Sequence, residues 1–256
     1  MTSEKDADAL LVRVEDAGVA GFANAIGWTS SQVPTTWPMT VLPRTPSVAE
    51  LVRQCSHGGL VPIHAVQSFR YRRPLRISET LTCQTSLTGS TNERCSLKLH
   101  MTDTSGEPVC DANSTLLLAR TLPPTAVVRD PASAPGSANP PASLESSLLT
   151  AEMFRTYQQA SGDTNPVHHD HAAAQSLGLE RPIAPGMMIL GMLTSLLART
   201  LEQPDIARLD AMFIAPVPAE TILSLSINTT PTPGRYSLVA TDRARRVYVK
   251  ATAVAA

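Results

Sequence analysis

The chain has 256 residues, 43% of them apolar, with 21 basic and 22 acidic residues and a formal net charge of −1. That length suits one large domain or two small ones, with enough apolar residues to bury a core. The balanced charge gives no attraction for nucleic acid or an anionic membrane surface, and no apolar run approaches the ~20 residues that a membrane helix needs.

In chain order, the opening "MTSEKDADALLVRVED" is acidic and lacks the basic-plus-apolar pattern of a leader, so a cytoplasmic protein is expected. Its "ALLVRVED" alternates and predicts a strand. "AGVAGFANAIG" predicts a helix. "SVAELVRQC" predicts a short amphipathic helix, with Ser47 as N-cap and Glu50 at the capping-box position. "VQSFRYRR", "TLTCQTSLT", "CSLKLHMTD" and "CDANSTLLLA" predict strands. Cys55, Cys83, Cys95 and Cys110 form no C-x-x-C pair, which argues against zinc and for reduced, buried thiols.

"LPPTAVVRDPASAPGSANPPASLESS" (122–147) is rich in Pro, Ala and Ser and favours extended, solvated chain. Residues 123–147 are therefore read as a connector between an N-terminal unit, 1–122, and a C-terminal unit, 148–256. In the second unit "AEMFRTYQQA" predicts a helix capped by Thr150, and "DHAAAQSLG" and "GMMILGMLTSLLART" predict a second helical region. "LDAMFIAPV", "TILSLSINTT", "YSLVATD" and "RVYVKATAVA" predict strands.

The two units resemble each other. "FANAIGWTSSQVP" lies on "YQQASGDTNPVHH" at one constant offset, with Phe22 on Tyr157, Ala25 on Ala160 and Gly27 on Gly162. "YRRPLRISETL" (71–81) likewise resembles "FIAPVPAETIL" (213–223). Such a repeat implies two copies of one unit packed together. Each copy runs helix, helix, then three or four antiparallel strands, which is α+β rather than βαβ alternation.

The stretch "SGDTNPVHHDH" (161–171) carries the chemistry. Asn165 before Pro166 is biased away from the α region, and Gly162 permits a positive φ, so the turn is rigid. It can hold Asp163 and His168 near one reacting group as an acid–base pair. Asp163 as an Asx-turn residue, and His168 or Asp170 as a helix cap, are equally open on spacing alone. A metal site at His168, His169 and His171 is disfavoured, because adjacent histidines diverge and no Cys or Glu-x-x-His accompanies them. Further on, "RPIAPGMMILGML" places Gly186 at the start of an apolar helix, where an open N–H can hold a developing oxyanion; an ordinary glycine in a proline turn is the alternative.

"YQQASGDTNPVHHDHAAAQSLGLERPIAPGM" resembles the hydratase-2 motif of the MaoC-like dehydratase family. "FIAPVPAETILSL" resembles the strand that follows it in that family. The first half is similar to the degenerate copy of two-copy members, in "QVPTTWPMTVLP" and "IHAVQSFRYRRPLRISETL". The resemblance implies a double hot dog: two antiparallel sheets, each wrapped around a central helix, in one chain. It implies reversible hydration of trans-2-enoyl thioesters to (R)-3-hydroxyacyl thioesters, on CoA or acyl carrier protein, with no cofactor and no metal. Asp163 and His168 fall on the family's catalytic pair, Asn165 on its supporting Asn, and Gly186 on the glycine whose N–H holds the thioester oxygen.

Two positions depart from the pattern: Pro185 stands where the family has His, and Ala219 where it has Gly. In the first copy Trp28 and Val33 stand in place of Asp163 and His168, so that copy lacks the acid–base step and is expected to shape the acyl tunnel. A monomeric pseudo-dimer or a homodimer is expected. The other readings are a hot dog thioesterase, disfavoured because "MMILGMLTSLLA" carries no carboxylate, and a non-catalytic acyl-thioester-binding subunit. Arg70, Arg72, Arg73 and Arg76 are either a phosphate contact or a solvated strand edge.

Overall fold

A computed structural model describes residues 8–89, 91, 93–122, 128, 142–202 and 204–256. Its first half runs β1 (Asp8–Arg13), α1 (Asp16–Ala25), α2 (Pro46–His57), β2 (Val61–Tyr71), β3 (Thr80–Thr88), β4 (Arg94–Thr102) and β5 (Pro108–Ala119). The second runs β6 (Ala142–Glu145), α3 (Ala151–Ser161), α4 (His171–Ser176), α5 (Gly186–Thr200), β7 (Ile206–Phe213), β8 (Ser224–Thr229), β9 (Arg235–Thr241) and β10 (Val247–Ala255).

The strands form one ten-stranded sheet in the order β1-β3-β4-β5-β2-β7-β10-β9-β8-β6. Read outward from the centre, β2-β5-β4-β3-β1 is matched by β7-β10-β9-β8-β6. The two halves therefore have the same topology and meet through the antiparallel β2–β7 pair, from Val66 opposite Met212 to Arg70 opposite Arg208. Every other pairing in the sheet is antiparallel too. α2 packs on β2 and β3, and α5 on β6, β8, β9 and β10. Each half is thus five strands around one long helix, the double hot dog expected.

α5 is apolar on almost every side, as a buried helix must be; Met188, Ile189, Leu190 and Leu193 have no exposed surface. Gly191 lets the first half come close, since a Cβ there would lie 2.7 Å from Ile26 Cγ2. The repeat has a physical counterpart at the seam. Phe22 and Tyr157, which the offset equates, pack with ring centroids 5.6 Å apart and planes tilted by 51°. A residue meeting its own equivalent is what a local twofold produces. Gly27 (φ 66°) and Gly162 (φ 79°), also equated, both take the left-handed conformation just past a helix. One apolar core runs through both halves. All four cysteines are free and buried within it.

Three details differ from the sequence reading. First, Ala142–Glu145, read as connector, pairs with β8 at the sheet edge. Polar composition hid it, because an edge strand with one face in water needs little apolar surface. Residues 123–127 and 129–141 of the connector lie outside the described residues. Second, α2 is not capped by Ser47. Thr45 is its N-cap and Pro46 its first residue, so the proline presets the helix. The Ser47 N–H instead reaches Asp8 Oδ2 at 2.6 Å, and Glu50 is taken by Arg53 and Gln54. Third, β2 begins at Val61 rather than Val66 and carries a bulge between His64 and Val66. Of the four arginines singled out, Arg70 pairs with Asp210 across the seam at 2.9 Å, and Arg73 with Glu79 at 2.8 Å.

Candidate active site

The loop after α3 is fixed bond by bond. Thr150 caps α3 by accepting from Met153 N–H, and Gly162 ends it. Asp163 Oδ1 then accepts the Asn165 N–H at 2.9 Å, an Asx-turn. Asn165 Oδ1 accepts the Val167 N–H at 3.3 Å and starts a 3-10 turn over Pro166–His168. Asp170 caps α4, accepting from Ala172 and Ala173. Asp163 therefore serves the turn with one oxygen and leaves the other free for His168.

Two further anchors hold the turn. The Asn165 side-chain amide donates to Pro62 O, on β2 of the first half, at 3.0 Å. The Gln158 amide donates to Asn165 O at 2.9 Å, and its oxygen lies 2.7 Å from His169 Nδ1. The three histidines consequently diverge: His168 turns inward, His169 goes to Gln158, and His171 is exposed at the start of α4. Among the described residues no group of three His, Cys, Asp or Glu side chains converges as a metal site.

His168 is 7% exposed. Its Nδ1 lies 2.8 Å from Ile183 O. A carbonyl can only accept, so Nδ1 carries a proton, which leaves Nε2 as the nitrogen that can give up or take a proton. That Nε2 stands 3.5 Å from Asp163 Oδ2. Burial pushes the Asp163 carboxyl up, but His168 and the Asn165 N–H outweigh it and hold the group below its ordinary range, hence ionised. Oδ2 is an acceptor, and Nε2 becomes one whenever the ring is neutral, so the pair can then seat one O–H group donated between them.

The pair opens on a cavity of about 560 Å³ lined by both halves. The second half supplies Asp163, Asn165, His168, Pro185, Gly186 and Phe213; the first supplies apolar wall, including Leu42, Val48, Val52, Leu97 and Leu116. Gly186 is the first residue of α5, with Pro185 as N-cap. Its N–H belongs to the helix end that has no partner within the helix. Phe213 explains the glycine, since a Cβ would lie 2.8 Å from its ring. Pro185 lines the cavity where the family pattern has His, and its carbonyl still accepts from Met188 N–H. All four residues expected at the site thus surround one cavity. Trp28 and Val33, their counterparts in the first copy, are buried core.

His64 and Tyr157 also line this cavity and were not singled out in the sequence. Tyr157 had a signal, its place opposite Phe22 in the repeat. His64 lay in "IHAVQSFRYRR", but plain alternation from Gln67 puts it on the outer face.

Residues 136–235 match the MaoC like domain. Residues 20–112 match the FAS1-like dehydratase domain region. No match was found among curated proteins. Among solved structures, HtdX of Mycobacterium tuberculosis superposes with a TM-score of 0.76 at 21% identity, over 97% of this chain and 100% of that one. A MaoC-like dehydratase from Phytophthora capsici gives 0.71 at 18%, over 98% and 96%. RV0216 of Mycobacterium tuberculosis, described as a double hotdog fold, gives 0.60 at 15%, over 99% and 96%. The chain has a double hot dog fold whose first half matches a FAS1-like dehydratase region and whose second half matches a MaoC like domain.

Proposed function

We propose that the protein reversibly hydrates trans-2-enoyl thioesters to (R)-3-hydroxyacyl thioesters, carried on CoA or acyl carrier protein. The observation that carries this reading is the seat between Asp163 Oδ2 and His168 Nε2, with the Gly186 N–H on the same cavity. In hydration, a water held by both acceptors adds its oxygen to C3. The pair takes one proton from that water and returns one to C2, so it ends unchanged. Charge builds meanwhile on the thioester oxygen, where the Gly186 N–H and the α5 dipole meet it. Dehydration is the reverse.

The rest of the chain positions these groups. Ile183 O fixes the His168 tautomer, and Asn165 ties the loop to β2. The first half, without its own acid–base pair, forms the apolar wall for the acyl chain. α5 carries no carboxylate, which speaks against a thioesterase arrangement with the acid on the central helix. The test is loss of enoyl-CoA hydration in Asp163→Asn and His168→Gln, with folding checked by circular dichroism. Release of free thiol by the wild-type chain would favour thioester hydrolysis instead.

A further inference from the structure

We propose that His64, from the half without the acid–base pair, contacts the substrate: its Nδ1 accepts a hydrogen bond from the hydroxyl of the 3-hydroxyacyl thioester or, in the other direction, from the water being added. This rests on the hydratase reading above and adds to it a residue outside the dehydratase motif.

The backbone aims the ring on purpose. Along β2, Gln67 and Phe69 are fully buried and Val66 is exposed. Unbroken alternation would put His64 outside with Val66. The bulge at Ala65 inserts one residue and brings His64 to the inner face with Gln67. Bulges re-aim side chains in this way beside active sites. Pro62, two residues earlier, accepts the Asn165 amide, so the ring sits next to the Asp163 turn. It lies against Phe213, centroids 5.1 Å apart, and Phe213 in turn abuts Gly186.

The hydrogen bonds then settle which nitrogen is free. The Gln67 amide donates to Ser68 O at 3.1 Å, which orients it. Its Oε1 lies 2.6 Å from Ser114 Oγ and 2.9 Å from His64 Nε2. An amide oxygen only accepts, so Nε2 carries the proton and Nδ1 is an acceptor on a ring that lines the cavity. Burial drives the imidazole pKa down to about 4, so the ring is neutral at ordinary pH. Gln67 and Ser114 are a buried polar pair in an otherwise apolar wall. Such pairs are costly unless fully bonded, and here the bonding holds one histidine in one tautomer.

The experiment compares wild type, His64→Leu and His64→Asn. It reads kcat/KM for dehydration of (R)-3-hydroxybutyryl-CoA against Ki for butyryl-CoA, the same thioester without the hydroxyl. Leaving the hydroxyl unmet in His64→Leu should lower kcat/KM about 5- to 100-fold, with little change in Ki. His64→Asn places an amide oxygen near the Nδ1 position and should recover most of the loss. The pH profile should keep its shape in both. Unchanged kcat/KM in His64→Leu, or an equal loss for both ligands, overturns the proposal. A shifted acid limb also overturns it, since His64 would then be transferring protons. If the wild type dehydrates nothing, the acid–base reading fails by itself, and direct titration with the same two ligands still tests His64: only the hydroxylated one should weaken.

Discussion

Replacing Gly186 with alanine tests the oxyanion end of the site through a clash that the structure specifies. The added Cβ would lie 2.8 Å from Phe213 Cδ1, 3.0 Å from Cε1 and 3.3 Å from Cγ. Carbon pairs prefer about 3.5–4.0 Å, so the ring or the helix start must move by several tenths of an ångström or more. The ring has little freedom, because His64 lies against it and the Phe213 backbone is paired with Val249 of β10. The first turn of α5 should therefore yield and carry the 186 N–H away from the thioester oxygen. Overpacking of this kind costs about 1–3 kcal/mol of stability. Loss of an oxyanion donor costs about 100- to 1,000-fold in kcat, so a fall of about 100-fold is expected. Initial rates of enoyl-CoA hydration and urea unfolding measure the two effects. Gly186→Ala with Phe213→Ala, which removes all three of these ring atoms, should cost less stability than the sum of the two single changes. A Gly186→Ala variant with wild-type kcat would refute the role given to this N–H.

Other outcomes are expected. His64 is held near a pKa of about 4 by burial, against about 6.5 when unfolded. The unfolded chain therefore binds more protons between these values. Stability should fall as the pH drops from about 6.5 to about 4, by at most about 2–3 kcal/mol, and His64→Asn should flatten that slope in urea titrations. Val48→Phe narrows the apolar wall and should depress turnover of long acyl chains more than of crotonyl-CoA, read across a chain-length series. Trp28→Asp with Val33→His should create no second working site, because both positions are core; a doubled active-site titre would contradict this.

Much of this molecule was legible in the sequence because its signals are local. The span of α5 is "GMMILGMLTSLLART" to the residue, since a mostly apolar run between a proline turn and a polar segment allows little else. The turn at 162–168 was legible because glycine, Asx side chains and proline each restrict their own backbone. β6 was missed for want of apolar residues, although the repeat pointed to it: β1 precedes α1, so a strand should precede α3. Ser47 failed as a cap because Asp8, distant in sequence, supplies the acceptor. His64 was hidden by the bulge, which breaks the alternation that sequence reading relies on, and by Gln67 and Ser114, whose meeting with it depends on strand pairing.

The most direct measurement of the central claim is the initial rate of crotonyl-CoA hydration by wild type, Asp163→Asn, His168→Gln and the double variant, with His169→Gln as control. Each single change should lower the rate at least about 100-fold, and the double variant should be little worse, because groups acting as a unit are not additive. His169→Gln keeps a partner for Gln158 and should stay near the wild-type rate. A fully active His168→Gln beside a dead His169→Gln, or an Asp163→Asn variant that hydrates at the wild-type rate, would contradict the account.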